Sequence, residues 1–311
     1  MVQENSLKPK VIVICGPTAS GKTKLAVELA KELNTEILSA DSIAIYKDLQ
    51  IGTAKPSKEE QQGVKHHLID FVDSKSSFTV FDYEINAKAI INDLISQGKI
   101  PIICGGTGYY INSVLYTFSY GKCGSNEKVR KKYQDILNEK GSKYLFEMLK
   151  EVDEESYKVL NEKDTVRVIR ALEIFELSGM KKSEIKDEKI PNYSFKAFSF
   201  QYPRQELYDR INYRVDKMFE QGLLEEVKDL LAKGIDESCQ SMQAIGYKEV
   251  IQGFKDNLSI EEIKELIKLN TRHYAKRQIT FFNRLDNLTY LDPKNYNIKD
   301  VLNEIRWTIL K

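Results

Sequence analysis

Cysteine is scarce: Cys15, Cys104, Cys123 and Cys239 are the only four in 311 residues, and no two form a C-x-x-C pair. That spacing argues against both a disulfide framework and a cysteine zinc site. Histidine is scarcer still, with three, and His66 and His67 are adjacent, so their side chains diverge instead of chelating one ion. They read as structural histidines. Long apolar runs are missing too: the longest, at 11–15 and 100–104, have the length of strands, too short for a transmembrane helix. The first ten residues contain charges and no apolar core of leader length, from which a cytoplasmic protein is expected. Neither sign of charge dominates, since 47 Lys+Arg against 46 Asp+Glu leaves a formal net charge of +1. Bulk electrostatics therefore gives no reason to bind nucleic acid, and any basic surface must be local. With 41% apolar and 30% charged residues, and no internal repeat or low-complexity stretch, the composition is that of a folded globule.

What is present alternates between strand and helix patterns. Residues 10–15 (K-V-I-V-I-C) form a β-branched run ending at Gly16, which predicts a buried strand. The following K-L-A-V-E-L-A-K-E-L places Leu25, Leu29 and Leu33 on one face of a helix. Residues 36–39 predict a short strand, 81–97 a helix, and 99–104 another buried strand running into Gly105-Gly106-Thr107-Gly108. This order implies an α/β fold with a parallel sheet flanked by helices, of the P-loop NTPase-like kind, which binds ligands beyond the carboxyl ends of its strands. Residues 121–194 carry charged helical patterns with almost no strand signal and end in a polar linker. They predict an all-helical domain inserted into a core of residues 1–120 and 195–311. Strands are expected again at 195–201 and 288–291.

Gly16-Pro17-Thr18-Ala19-Ser20-Gly21-Lys22-Thr23 matches the phosphate-loop pattern G-x-x-x-x-G-K-S/T in full. Such a loop, shared with nucleotide- and ATP-binding proteins, wraps phosphates in backbone N–H groups at a helix N-terminus and adds a lysine charge. Thr23 would offer its hydroxyl to a magnesium ion (Mg2+) bridging two phosphates. A chance match is expected in roughly one chain in a hundred of this length, and the strand before and helix after make it rarer. No apolar strand ends in the acidic pair of a hydrolytic ATPase, and Asn161-Glu162-Lys163-Asp164 has the wrong order for guanine recognition. The diphosphate bound here need not belong to a nucleoside. Asp41, at the end of the second strand, points to the same sheet edge, as a metal ligand, a general base or a turn aspartate. Arg272, Lys276, Arg277 and Arg284 lie in a helix begun near Ser259, interleaved with aromatics and with no acid between 271 and 284. That pattern suits an RNA-contacting surface, or alternatively a solvated helix face.

Taken in order, several segments resemble the tRNA dimethylallyltransferases (isopentenyl-diphosphate:tRNA transferases). They are G-P-T-A-S-G-K-T at 16–23, D-S-x-x-I-Y at 41–46, I-G-T-A-K-P at 51–56, H-H-L-I-D at 66–70 and G-G-T-G-x-Y at 105–110. R-V-I-R-A-L-E at 167–173, A-I-G-Y-K-E at 244–249 and T-R-x-Y-A-K-R-Q-x-T at 271–280 continue the series. The resemblance implies transfer of a dimethylallyl group from its diphosphate to N6 of the adenosine 3′ of the anticodon. By position, Asp41 resembles the general base, Thr107 the residue that positions the adenine, and Arg214 a clamp on the departing diphosphate held by Lys22 and Thr23. The segment Asp41, Ser42, Ile43 and Ala44, with Thr107, Arg130, Arg167, Arg170, Arg272, Lys276 and Arg277, resembles the tRNA-binding set. The implied partners are the tRNA anticodon stem-loop and dimethylallyl diphosphate, with no membrane, and a monomer is expected.

Departures exist. Ala44 stands where many relatives have Gln, and Thr280-Phe281-Phe282 where many have T-W-F. The proline-containing linker usual in the family is not recognisable around 119–125. Eukaryotic relatives often append a zinc finger, and the end at Lys311 without one leads us to expect a bacterial source. Rival readings are an adenylate isopentenyltransferase, a P-loop small-molecule kinase and a non-catalytic RNA-binding protein. The insertion and the basic helix weigh against a free-nucleotide substrate.

Overall fold

The computed structural model describes residues 8–117, 123–185 and 189–309. Most of the N-terminal stretch read for a leader, and 119–122 of the linker departure, lie outside them. The described residues form two compact units, one up to Tyr116 and from Pro191 onward, the other Thr117–Ile190.

The first unit is built on a six-stranded sheet in the order β3-β2-β4-β1-β5-β6. Its strands are β1 (Lys10–Cys15), β2 (Ile37–Ala40), β3 (His66–His67), β4 (Ile102–Gly105), β5 (Ser194–Phe200) and β6 (Leu288–Leu291). Every pairing is parallel. The sheet is parallel because helices carry the chain back between strands: α1 (Lys22–Glu32) after β1, α2 (Lys58–Gln61) after β2, α3 (Val80–Ser96) after β3. Beyond β4 comes α4 (Gly108–Leu115), the last helix before the second unit. The β-branched run of β1 is wholly buried from Val11 to Cys15 because both faces are covered. Leu25 and Leu29 of α1 pack with Ile12, Ile14, Ile102 and Phe198 into one core, with Leu33 partly buried beside it. Each such side chain contributes about 1.5–3 kcal/mol when fully buried.

Register decides where the chemistry can sit. Cys15 of β1 and Ala40 of β2 both pair with Gly105 of β4. These neighbouring strands therefore end flush, and the next residues, Gly16, Asp41 and Gly106, emerge side by side at one edge.

After the second unit the chain adds α8 (Arg204–Glu220), α9 (Leu223–Ala232), α10 (Tyr247–Lys255), α11 (Ile260–Phe282) and α12 (Ile298–Ile309) to the first. Helix α11 starts where its sequence says it should: Ser259 and Glu262 form a reciprocal capping box. No helix among the described residues is long and apolar enough to cross a membrane.

The second unit is helical. It holds α5 (Glu127–Val152), interrupted at Gly141 (φ 83°), α6 (Glu154–Val159), α7 (Thr165–Ser178) and a short 3-10 turn, around Tyr133, Leu145, Leu149, Val168 and Leu172. Its limits, 117 and 190, fall earlier than the expected 121 and 194. Tyr116 is still buried in the first unit and bridges Pro191, whereas the Thr117 N–H donates to the Ile190 carbonyl at 3.0 Å. The change in composition trails the change in structure.

Candidate functional site

Gly16 to Thr23 wrap from the end of β1 into the first turn of α1, with Gly21 in the left-handed region (φ 85°) as the N-cap. Other elements hold the loop from outside. The Tyr202 hydroxyl donates to the Ser20 carbonyl at 3.1 Å, and Arg210 Nε donates to the Ala19 carbonyl at 2.8 Å. Gln278, buried on α11, accepts the Thr18 N–H at 3.0 Å and donates to the Gly106 carbonyl at 2.9 Å. Lys22 Nζ donates to the Pro17 carbonyl at 2.6 Å. Burial, reinforced by the charge of Arg214, lowers the Lys22 ammonium to about 8.

Asp41 makes the turn that was one of its expected roles. Its Oδ1 accepts the N–H groups of Ile43 at 2.9 Å and Ala44 at 3.1 Å, which is turn chemistry. Its Oδ2 takes no hydrogen bond from a described residue, and Asp41 lines the cavity beside Lys22, Thr23 and Arg214. The same carboxylate offsets the effect of burial on Arg214, which lowers that guanidinium from its ordinary value. Thr107 Oγ1 accepts the Ser42 N–H at 3.0 Å and donates to Ser42 Oγ at 3.3 Å, tying the β4 loop to the β2 loop. Tyr274 of α11 also lines the cavity, and burial followed by the Asp41 charge pushes its phenol up to about 12.

These groups surround one cavity of about 420 Å³. Thr18, Lys22 and Thr23 form its phosphate-loop wall, and Ile211, Val215 and Met218 an apolar one. Gly52 to Pro56 form a further wall. Glu226 of α9 holds that loop by accepting the N–H groups of Gln50 (3.1 Å), Ile51 (2.8 Å) and Gly52 (3.3 Å), and the buried Tyr247 hydroxyl donates to Glu226 at 2.6 Å.

Of the site residues expected from sequence, Thr18, Lys22, Thr23, Asp41, Ser42, Ile43, Ala44, Arg214 and Arg277 line this cavity. Thr107 stands behind Ser42. Lys276 is exposed. Arg272 has a different setting: Nη1 donates to Asn212 Oδ1 at 2.7 Å, joining α11 to α8. In the helical unit Arg167 is exposed, while Arg130 and Arg170 both donate to the fully buried Glu173. Burial raises the Glu173 carboxyl, but the Asn126 N–H and these arginines outweigh it and hold it below its usual value. Both arginines therefore brace their own unit. His66 and His67 form the edge strand β3, and His67 Nε2 meets Glu36 at 2.7 Å.

Gln278, Tyr274, Glu226 and Tyr247 were not expected at the site. The signal for the first two was their i,i+4 spacing within the cationic helix, which puts an amide and a phenol on one inward face. Glu226 sits in an ordinary amphipathic helix that gave no sign.

A family model described as IPP transferase matches residues 44–285. The tRNA dimethylallyltransferase of Thermoanaerobacter sp. (strain X514) is 46% identical over 295 residues, covering 92% of this chain and 94% of that one. The crystal structure of a tRNA isopentenylpyrophosphate transferase from Bacillus halodurans, 39% identical, superposes with a TM-score of 0.71 over 96% of this chain and 95% of that one. A eukaryotic dimethylallyltransferase solved acting on tRNA, 29% identical, gives a TM-score of 0.77 over 92% of this chain and 74% of that one. The family model takes in the Gly52–Pro56 wall, Arg214 and α11, and the chain belongs to the IPP transferase family.

Proposed function

We propose that the protein transfers the dimethylallyl group of dimethylallyl diphosphate to N6 of the adenosine immediately 3′ of the anticodon in tRNA, releasing diphosphate. The observation that carries this reading is the meeting of Lys22, Thr23, Arg214 and Asp41 on one cavity with an apolar wall. A phosphate loop alone would serve a kinase. A carboxylate facing it across an apolar space suits a donor that is part hydrocarbon and an acceptor that loses a proton.

In the reaction, N6 attacks the C1 carbon of the dimethylallyl group. The C1–O bond breaks, its electron pair leaves on diphosphate, and Asp41 Oδ2 takes the proton that N6 loses. Thr107, fixed by Ser42, orients the adenine. Lys22 and Arg214 face the charge that grows on the departing oxygens, where preorganised cations act most strongly. Magnesium fits this wall, since it takes one or two protein oxygens plus phosphate oxygens and water, and the Thr23 hydroxyl on the cavity supplies one. When bound there it would neutralise part of the diphosphate charge.

The tRNA would be gripped by Arg277 at the cavity and the exposed Lys276 on α11, and by Arg167 on the helical unit, with Arg130 and Arg170 bracing that unit. We read the enzyme as a cytoplasmic monomer. The test is to follow radiolabel from the prenyl group of dimethylallyl diphosphate and, separately, from the γ-phosphate of ATP. Label moving from the prenyl donor to tRNA supports the reading. Label moving to free AMP, or from ATP to any acceptor, replaces it with an adenylate isopentenyltransferase or a kinase.

A further inference from the structure

Tyr109 is 62% exposed at the first turn of α4, two residues after Thr107, and its phenol makes no hydrogen bond to a described residue. An isolated exposed aromatic is ordinary. This one is paired. Its ring centroid lies 5.5 Å from that of Phe281 at the end of α11, and Phe281 in turn abuts the buried Phe282 at 5.6 Å. A Cβ on Gly108 would come within 2.3 Å of the Phe281 ring, so only glycine lets that ring lie against the start of α4. Phe281 is one helical turn beyond Arg277, which lines the cavity, and the exposed Thr280 adjoins it. This aromatic pair, its rings tilted 54° to one another, thus joins the turn after Thr107, whose partner Ser42 lines the cavity, to the helix turn after Arg277, which also lines it.

Enzymes that modify a base must extrude it, which leaves its loop neighbour unstacked. RNA readers meet unpaired bases with aromatic planes and the adjoining phosphates with cations. We propose that Tyr109 and Phe281 form a stacking platform for the unpaired nucleobase next to the reacting adenosine, with Arg277 beside it for the phosphate. This deepens the reading of the cavity as an adenosine site in a single-stranded RNA loop and rests on it. It makes Tyr109 a determinant of RNA binding with no part in donor binding.

The experiment measures binding of an anticodon stem-loop RNA to wild type, Tyr109→Ala, Tyr109→Phe and Tyr109→Trp, using 2-aminopurine or an abasic nucleotide on either side of the reactive adenosine. One stacked base is worth about 5- to 150-fold in affinity. Tyr109→Ala should weaken binding by that factor, while Phe and Trp stay near wild type. An abasic nucleotide at one flank should erase the difference between wild type and Tyr109→Ala, and 2-aminopurine at that flank should be quenched by wild type and less so by the alanine variant. The donor KM should not change. Unaltered affinity of Tyr109→Ala, an alanine effect that persists with abasic RNA at both flanks, or a raised donor KM would each overturn the platform. Failure of the functional reading looks different: wild type would bind the stem-loop yet transfer no prenyl group to it.

Discussion

The Gln278 side chain accepts the Thr18 N–H at 3.0 Å and donates to the Gly106 carbonyl at 2.9 Å. One buried amide on α11 thus joins the phosphate loop to the loop that carries Thr107. Gln278→Ala leaves the buried Gly106 carbonyl unpaired, at about 1–3 kcal/mol, along with the part-buried Thr18 N–H. We expect a stability loss in that range by denaturant titration together with a raised donor KM. A stable variant with wild-type KM would show that the bridge positions nothing.

Gly52 is held against Tyr247. A Cβ there would lie 2.5 Å from the ring, which is fully buried and cannot yield. Gly52→Ala must therefore displace the 50–54 loop from Glu226. The donor KM should rise by about tenfold or more, equivalent to about 1.4 kcal/mol, with tRNA affinity unchanged. Glu226→Gln, which keeps one acceptor oxygen but loses the other, should fall between Gly52→Ala and wild type in steady-state kinetics.

Lys22 gives the site a pH dependence. Its ammonium is lowered from 10.5 to about 8, mainly by burial, so the charged form dominates at pH 7 and is lost as pH rises through about 8. A diphosphate favours the charged form, so donor binding should weaken above about pH 8 and should take up a proton between that pH and 10.5. For folding the sign is reversed. The unfolded chain holds the proton in this window and the folded one does not, so the destabilising effect of burying Lys22 grows as pH falls from 10.5 to about 8, and stability rises with pH there. Calorimetry of donor binding in buffers of different ionisation enthalpy, with Lys22→Ala as control, checks the uptake. An equal pH profile for the variant would remove Lys22 from the donor site.

The cations of α11 divide. Each of Lys276→Ala and Arg277→Ala should lower the salt slope of tRNA binding by about 0.7–0.9 for every phosphate its side chain neutralises. Arg272→Ala should leave that slope alone and instead cost stability, because its guanidinium is bonded to Asn212. Affinity measured against salt, alongside thermal melts, separates the two behaviours.

Particular residues show what was legible before the structure. Strands β1 and β6 lie where their apolar runs begin and end, and the loop from Gly16 to Thr23 announces itself through glycine and lysine spacing. Strand β3 did not, since two histidines at a sheet edge carry neither alternation nor apolar bulk. Asp41 was legible as a turn residue or as a base, and the structure gives one carboxylate oxygen to the turn. Arg130 and Arg170 suggested RNA by family resemblance; their shared partner, Glu173, is an acid that only tertiary packing brings to both. Gln278 and Glu226 were hidden for the same reason, because their partners are backbone groups far away in sequence.

Asp41→Asn tests the central claim most directly. An amide oxygen can still accept the Ile43 and Ala44 N–H groups, so the turn survives, but the side chain can no longer take the N6 proton. The measurement is nucleoside analysis of tRNA after incubation with enzyme, magnesium and dimethylallyl diphosphate, with tRNA binding measured in parallel. We predict N6-dimethylallyladenosine at the position 3′ of the anticodon for wild type, formed about 10²–10⁴ times more slowly by Asp41→Asn, with tRNA affinity nearly intact. Near-normal turnover by Asp41→Asn, or no modified adenosine with wild type, would contradict the account.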